Sequence, residues 1–301
     1  MKPKYGHPAP PKRRDNIQGW LSVLPVLILI LLIRGYPIVS GIAKSFTNWD
    51  GLFKSDFIGL RNYVHILGRP QFWLLLSNNL ILLIFIPFQL LFGLVVAMLL
   101  YEDIPGMKFY RACYYLPQVL SALSIGYLFS IFFGYNGPIN TIFQSMGLLK
   151  EPVYWLGSRG TALAIIILCL VWINIGWQGM LFLGGMTQVS PEIFEAARLD
   201  GAGYWVRMFK IMLPQLVPTV EYSCITSVMW CFTGIFSLIF SITGGGPGYD
   251  TTTIDYMIYL KGFRGNSEFG YACALSVILM LIVLAFTLVQ MRASKRADYR
   301  G

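Results

Sequence analysis

Six long apolar runs are the feature of this 301-residue sequence that most limits its fold. Each run has about 20 residues or more, the length that an α-helix needs to cross the hydrocarbon core of a bilayer. The chain is only 12% charged, whereas a soluble domain has about a quarter charged residues. We therefore predict an all-α integral membrane protein with six transmembrane helices, at residues 20–43, 74–100, 113–133, 162–186, 216–242 and 271–291.

Basic residues are concentrated in the segments that lie on one side when six spans are threaded in order. They flank the first and last spans and recur in the second-to-third and fourth-to-fifth connections, as at Lys108, Arg198 and Arg207. The positive-inside rule places these segments in the cytoplasm. We predict a multi-pass protein of the cell membrane, with residues 1–16 and 293–301 as cytoplasmic tails and residues 17–292 as the transmembrane domain. The net charge of +9 is thus a matter of topology and does not indicate nucleic-acid binding.

A polar, turn-broken segment, EAARLDGAGYWVRMFKIMLP at residues 195–214, separates the fourth and fifth apolar runs. It predicts one short helix, a sharp stop and a second short helix. Ser190 is placed to cap the first helix. Gly201 and Gly203 are placed to end it, because glycine adopts the left-handed conformation at little cost. The result is a cytoplasmic elbow that another protein can push, and its apolar side chains also suit the membrane surface.

The spacing of this segment resembles the EAA loop of the membrane subunits of bacterial ABC importers. The residues that carry the resemblance are Glu195-Ala196-Ala197, Gly201, Ile211 and Leu213-Pro214. The resemblance implies a coupling helix, within residues 188–215, that docks on an ATP-hydrolysing subunit. The implied coupling residues are Glu195, Ala196, Ala197, Asp200 and Gly201.

Two further strings resemble permease subunits of the maltose and glycerol-phosphate type of sugar importer. They are FIGLRNY at residues 57–63 and the glycine-rich GGGPGYDTTT at residues 244–253. The second string lacks the Lys-Ser/Thr of a nucleotide-binding loop, and we expect a tight turn at the membrane surface. The resemblance implies a second, homologous permease, two ATP-binding cassette subunits and an extracytoplasmic solute-binding protein. ATP and magnesium would be used by the partner subunits, so this chain itself needs no cofactor.

Ionisable residues are scarce within the spans, which disfavours a proton-driven carrier or an enzyme. No catalytic constellation and no metal-ligand cluster is visible in the sequence, so we predict a protein that is not an enzyme and binds no metal. Neutral amides and aromatic rings occupy the spans instead, and such groups suit the hydroxyls and faces of a sugar. The candidate pathway residues are Gln89, Asn174, Trp177, Gln178, Ser227 and Trp230.

Hydrogen bonding between helices is an equally ordinary use for such polar residues in a membrane bundle. Two other classes of function also stay open from the residues alone. A carrier or channel that works without ATP would make the elbow a structural feature, and a membrane-embedded enzyme would need a catalytic constellation. The sequence favours a permease subunit that forms half of the pathway for a sugar or sugar-like solute.

Overall fold

The computed structural model of the chain describes residues 13–101, 106–264 and 268–298. Over these ranges it is mostly helical, with one isolated antiparallel bridge between Thr47 and Phe57. Four helices are long and apolar enough to cross a membrane, and two further pairs qualify when each bent pair is taken as one span. The predicted all-α fold is confirmed, and six spans result if each bent pair crosses once.

The first two spans contain breaks that hydropathy does not reveal. A π-helical stretch at Leu31–Gly35 interrupts the first span, and residues 83–84 separate the two helices of the second. Of the predicted tails, residues 1–12 and 299–301 lie outside the described residues. The helices from this part of the chain are α1 (Arg13–Ile30), α2 (Tyr36–Ser45), α3 (Arg61–Leu67), α4 (Pro70–Leu82) and α5 (Phe85–Tyr101).

The third predicted span is bent most sharply. Its halves, α6 (Met107–Val119) and α7 (Ala122–Phe132), meet at 91°. The bend arises because Leu120 and Ser121 are both extended, with ψ of 150° and 128°. One connecting helix, α8 (Pro138–Ser145), follows, and then the long α9 (Arg159–Met186), which is the fourth span.

The chain returns through the elbow, residues 188–215, into the fifth span. The elbow contains α10 (Pro191–Leu199), α11 (Tyr204–Val206), a π-helical stretch (Arg207–Met212) and α12 (Leu213–Gln215). The fifth span is again bent, by 53°. Its halves, and the helices that complete the chain, are α13 (Val217–Thr233), α14 (Phe236–Ile242), α15 (Ile254–Phe263) and α16 (Phe269–Asp298).

The second halves of the two bent spans, α7 and α14, pack against each other. Gly126 of α7 lies so close to Ser241 of α14 that a Cβ at Gly126 would collide with the Ser241 hydroxyl. The main apolar core lies beside this pair, where α4, α9, α13, α14 and α16 meet around residues such as Ile166, Phe232 and Leu275. A second core lies at the elbow, around Met186, Met208 and Met212.

The glycine-rich string forms a tight turn, as predicted. Gly244, Gly245 and Gly248 all have positive φ, at 59°, 84° and 58°, a region that favours glycine. The threonines that follow, Thr251 to Thr253, are fully buried. Residues 243–253, which we call the glycine-threonine turn, therefore fold inward and pack against the bundle.

Candidate functional site

The first helix of the elbow ends at Gly201, as predicted. Gly201 has a φ of 78°, and the Ala202 amide donates to the Ala197 carbonyl at 2.9 Å, which closes the helix. The prediction for Gly203 is wrong. Gly203 is extended, with φ of −65° and ψ of 165°, and it immediately precedes α11. One left-handed residue is enough to stop the helix, so the second glycine starts the next one.

Ser190 occupies the residue before α10, but its side chain does not cap the helix. The Ser190 hydroxyl donates to Glu192 Oε2 at 3.1 Å, and no backbone amide bonds to it. Pro191, which has no amide hydrogen, fills the first position of the helix. The predicted capping bond, in which the hydroxyl would accept from a backbone amide, is therefore not formed.

The second half of the elbow is anchored in the bundle by one apolar stripe. Met208, Met212 and Leu216 recur every four residues and are almost fully buried. They pack into the second core, which also contains residues of α5 and α9 such as Val96, Phe182 and Met186. Trp205 and Phe209 stack on each other at 5.9 Å between ring centroids and are exposed. The elbow is therefore packed firmly against the ends of α5 and α9.

In the first half of the elbow, most of the predicted coupling residues are exposed and are not packed into the second core. Glu195, Ala196, Asp200 and Gly201 are exposed, whereas Ala197 is buried against the chain. Leu199 was not among the predicted residues, yet 89% of it is exposed. It lies one helical turn after Glu195, and that spacing is the sequence signal that would have revealed it.

An open recess in the membrane-spanning part gathers most of the predicted pathway residues. It has a volume of about 270 Å³ and lies between α6, α9 and α13. Five of the six predicted residues line it: Asn174, Trp177, Gln178, Ser227 and Trp230. The spacing of three to four residues along α9 and α13 places these side chains on one face of each helix.

Gln89, the sixth predicted residue, lies behind the recess wall. Its side chain is fully buried and donates from Nε2 to Ser227 Oγ at 2.6 Å. Ser223 donates to Gln178 Oε1 at 2.5 Å, so α5, α9 and α13 share one polar network. Close contact between α5 and α9 at Gly93 brings these groups within reach. The network shows that hydrogen bonding between helices occurs here as well.

Two recess residues were missed by sequence reasoning. Thr226 precedes Ser227 on α13, and Gln118 reaches the recess from α6. Gln118 comes just before the sharp bend at Leu120. This bend is not visible in the sequence, because residues 113–133 form one continuous apolar run. Its position also depends on the close crossing of α6 and α9 at Gly176, where a Cβ would collide with the Tyr114 carbonyl.

Comparison with known proteins identifies the class to which this fold belongs. Residues 75–297 match the family described as binding-protein-dependent transport system inner membrane component. The chain belongs to this family of membrane-embedded transport proteins. Its relatives are transporters that work with a binding protein.

Individual relatives resemble the chain over nearly its whole length. The multiple sugar-binding transport system permease protein MsmF of Streptococcus mutans is 32% identical over 93% of this chain and 96% of its own. The sn-glycerol-3-phosphate transport system permease protein UgpA of Pectobacterium atrosepticum is 28% identical over 95% and 97%. The solved structure of a bacterial ABC transporter for the polysaccharide alginate has a similar fold, with a TM-score of 0.82, 23% identity and coverage of 94% and 98%.

Proposed function

We propose that this chain is one of two permease subunits of an ATP-driven sugar importer, and that its elbow couples to a separate ATPase. One observation carries the proposal: two of the three helices that line the recess, α9 and α13, are the helices that flank the elbow. Helix α9 carries Asn174, Trp177 and Gln178 and leads into the elbow, and α13 carries Ser227 and Trp230 and leaves it.

This arrangement gives the elbow a direct mechanical route to the recess. Met208, Met212 and Leu216 fix the elbow to the ends of α5 and α9, so a force on α10 reaches the helices behind the recess. The polar network of Gln89, Gln178 and Ser227 then ties those helices together beside the recess. Displacement of the elbow would alter access to the recess, as alternating access requires.

The recess chemistry favours a neutral sugar as cargo. Its lining consists of two glutamines, an asparagine, a threonine, a serine and two tryptophans. Amides and hydroxyls exchange hydrogen bonds with sugar hydroxyls, and indole rings offer apolar faces. The relatives named for multiple sugars and for a glycerol phosphate differ in cargo charge. An uncharged lining favours the former class, because no cation in it would pair with a phosphate.

The proposed assembly supplies what this chain does not. A second permease completes the pathway, two ATP-binding cassette subunits bind ATP with magnesium and act on the elbow, and an extracytoplasmic solute-binding protein delivers the sugar. In this orientation both termini and the elbow lie in the cytoplasm. The two tails, residues 1–16 and 293–301, contain eight basic and two acidic residues, a basic excess that is consistent with the positive-inside rule.

Substitutions at Gly201 test the coupling role. Gly201 is left-handed with open space around it in the chain, so Gly201→Ala adds roughly 1–2 kcal/mol of backbone strain without an internal clash. Gly201→Asn tolerates the left-handed conformation but adds a side chain on the outer surface. Gly203→Ala is the matched control, because Gly203 also has open space but an ordinary φ.

Two quantities are measured for each variant: co-purification of the ATPase and ATP-driven sugar uptake. If the surface around Gly201 contacts the ATPase, Gly201→Asn lowers both about tenfold or more although the turn is kept. Gly203→Ala should retain both. Normal uptake in Gly201→Asn would refute the coupling role. Uptake by this chain alone in liposomes without ATP would instead support a self-sufficient carrier.

The recess has its own test. Within the described residues, Asn174 donates to the carbonyl of Leu170 in its own helix, at 2.8 Å, so Asn174→Leu should leave assembly intact. Thr233→Val is the control, since Thr233 likewise bonds within its own helix but does not line the recess. We expect weaker transport in the first variant only. Equal transport by the two variants would indicate that Asn174 serves helix packing and does not contact the sugar.

A further inference from the structure

A second hollow lies at the opposite end of the bundle from the elbow. It has a volume of about 370 Å³ and opens between the segment that follows α2 and the start of α16. The length of α16 separates the two ends: Tyr271 near its start faces the hollow, whereas Ser294 near its end bonds to Glu221 beside the elbow. At 1.5 Å per residue, these positions are about 35 Å apart.

The walls of the hollow are held together by hydrogen bonds within the chain. The Gly270 amide donates to the Trp49 carbonyl at 2.8 Å, which joins the two walls. Asn62 Nδ2 donates to the carbonyls of Ser45 and Thr47 at 2.8 and 2.9 Å. Asp50 Oδ1 accepts the Leu52 amide at 2.8 Å. These bonds fix the side chains before any ligand arrives.

Both hydrogen-bond donors and hydrogen-bond acceptors line the hollow. The acceptors are the carboxylates of Asp50 and Glu268 and the amide oxygen of Asn62, and the donors include the Lys54 ammonium and the Trp49 indole. Backbone amides, chiefly that of Leu52, lower the pKa of Asp50, so this acceptor is ionised at neutral pH. Tyr271 adds an aromatic wall.

The charges of this lining nearly balance. Glu268 forms an ion pair with Lys261 at 2.8 Å, and Lys54 lies on the same hollow as Asp50. A site for a phosphate or a metal cation would present an excess of one sign, and this lining does not. Mixed donors and acceptors between aromatic walls suit a neutral, polyhydroxylated ligand.

We propose that this hollow is a second saccharide site, which binds a neutral mono- or disaccharide at the entry side, separately from the membrane recess. The ligand class and the entry side rest on the proposed function. The site would hold a sugar about one bilayer thickness from the elbow, where cargo arrives before it reaches the recess.

The test uses the complete complex in nanodiscs, without ATP and without the binding protein. Glucose, sucrose, maltose and raffinose serve as probes, each measured alone at about 10 mM by saturation-transfer NMR, which detects millimolar affinities. The hollow is altered by the double variant Asp50→Asn, Glu268→Gln, which keeps side-chain shape and the Asp50 turn. Glu151→Gln is the control, because Glu151 is an exposed acid outside the hollow.

We expect at least one probe to give a signal that the double variant reduces about threefold or more. Glu151→Gln should leave that signal unchanged, and the recess variant Asn174→Leu should keep most of it. The proposal is overturned if no probe gives a signal, if only Asn174→Leu removes the signal, or if the double variant leaves every saccharide signal intact. ATP-driven uptake in the wild type, measured in parallel, shows whether the proposed function survives such a failure.

Discussion

At one end of the bundle, the glycine-threonine turn directs its polar groups inward, whereas at the other end the first half of the elbow directs them outward. Thr251 and Thr252 donate to the carbonyls of Gly246 and Gly245 at 2.8 and 2.9 Å. Glu195 and Asp200, in contrast, are exposed. Both regions carry conspicuous motifs, but the polar groups of one bond within the chain, whereas those of the other are exposed and would face the proposed ATPase.

Asn78 links several segments at the end of the bundle that contains the glycine-threonine turn. It is fully buried, and its Nδ2 donates to the Thr252 carbonyl at 2.9 Å while its Oδ1 accepts from the Arg159 guanidinium at 2.9 Å. One side chain thus connects α4, the start of α9 and the glycine-threonine turn. Substitutions should therefore damage folding at this end and coupling at the elbow.

The largest expected effect is that of Asn78→Leu. The change removes the Asn78 bonds to the half-buried Arg159 guanidinium, which keeps its bond to Ser77, and those to the carbonyls of Tyr249 and Thr252. We expect this loss to cost about 3 kcal/mol or more. Ser77→Ala is the control, because it removes only one bond to Arg159 and should cost about 1 kcal/mol. Thermal unfolding of the purified complex and the yield in membranes measure the difference. Equal stability in the two variants would contradict the proposed role of Asn78.

Asp255 is an exception at the inward end. It lies in α15, outside the candidate spans, and its Oδ2 is shielded from solvent without a hydrogen-bond partner among the described residues. Burial raises the pKa of Asp255 to about 6, although the hydrogen bond from Thr253 opposes the shift. The folded state therefore holds the proton more tightly than the unfolded state. Stability should fall as the pH rises from about 4 to about 6 and level off above.

Asp255→Asn should remove this pH dependence. The variant keeps the Oδ1 acceptor for Thr253 and Tyr256, so we expect a gain of about 1–3 kcal/mol at pH 7.5 and little change at pH 4. Thr253→Val removes the opposing hydrogen bond and should move the loss of stability to higher pH. Unfolding measured across this pH range checks both variants. A gain that is the same at both pH values would show that titration is not its cause.

At the elbow, Leu199→Asp should change association without changing stability. Leu199 is 89% exposed, so its replacement should alter the free energy of unfolding by less than about 0.5 kcal/mol. If Leu199 packs against the ATPase, the charge should weaken co-purification about tenfold or more. Leu148→Asp is the control, because Leu148 is 65% exposed near the start of α9, at the other end. Equal ATPase recovery from both variants would remove Leu199 from the coupling surface.

These two ends also differ in what the sequence reveals. The stop at Gly201 and the shared faces of α9 and α13 follow from local rules, since helix period and glycine conformation are set within a few residues. The tight turn was predictable for the same reason. The bonds that Asn78 makes to residues more than 80 positions away were not.

The bend in the third span explains why Gln118 was missed. Hydropathy registers only that residues 113–133 are apolar, and it does not distinguish a straight helix from two helices at 91°. Gln118 reaches the recess because of that bend and because Gly176 admits α6 so closely. Such positions depend on packing between distant segments, which one sequence read along its length does not provide.

The smallest expected effect concerns the start of the elbow. A capping serine typically contributes about 1 kcal/mol, but the Ser190 hydroxyl bonds to Glu192 at the surface and not to a backbone amide. We therefore expect Ser190→Ala to cost less than about 0.5 kcal/mol in thermal unfolding and to leave ATPase recovery unchanged. A loss near 1 kcal/mol would mean that Ser190 caps α10 in the working complex. In that case the start of the elbow, like the glycine-threonine turn, would be held by bonds within the chain, and the contrast between the two ends would be confined to residues 195–201.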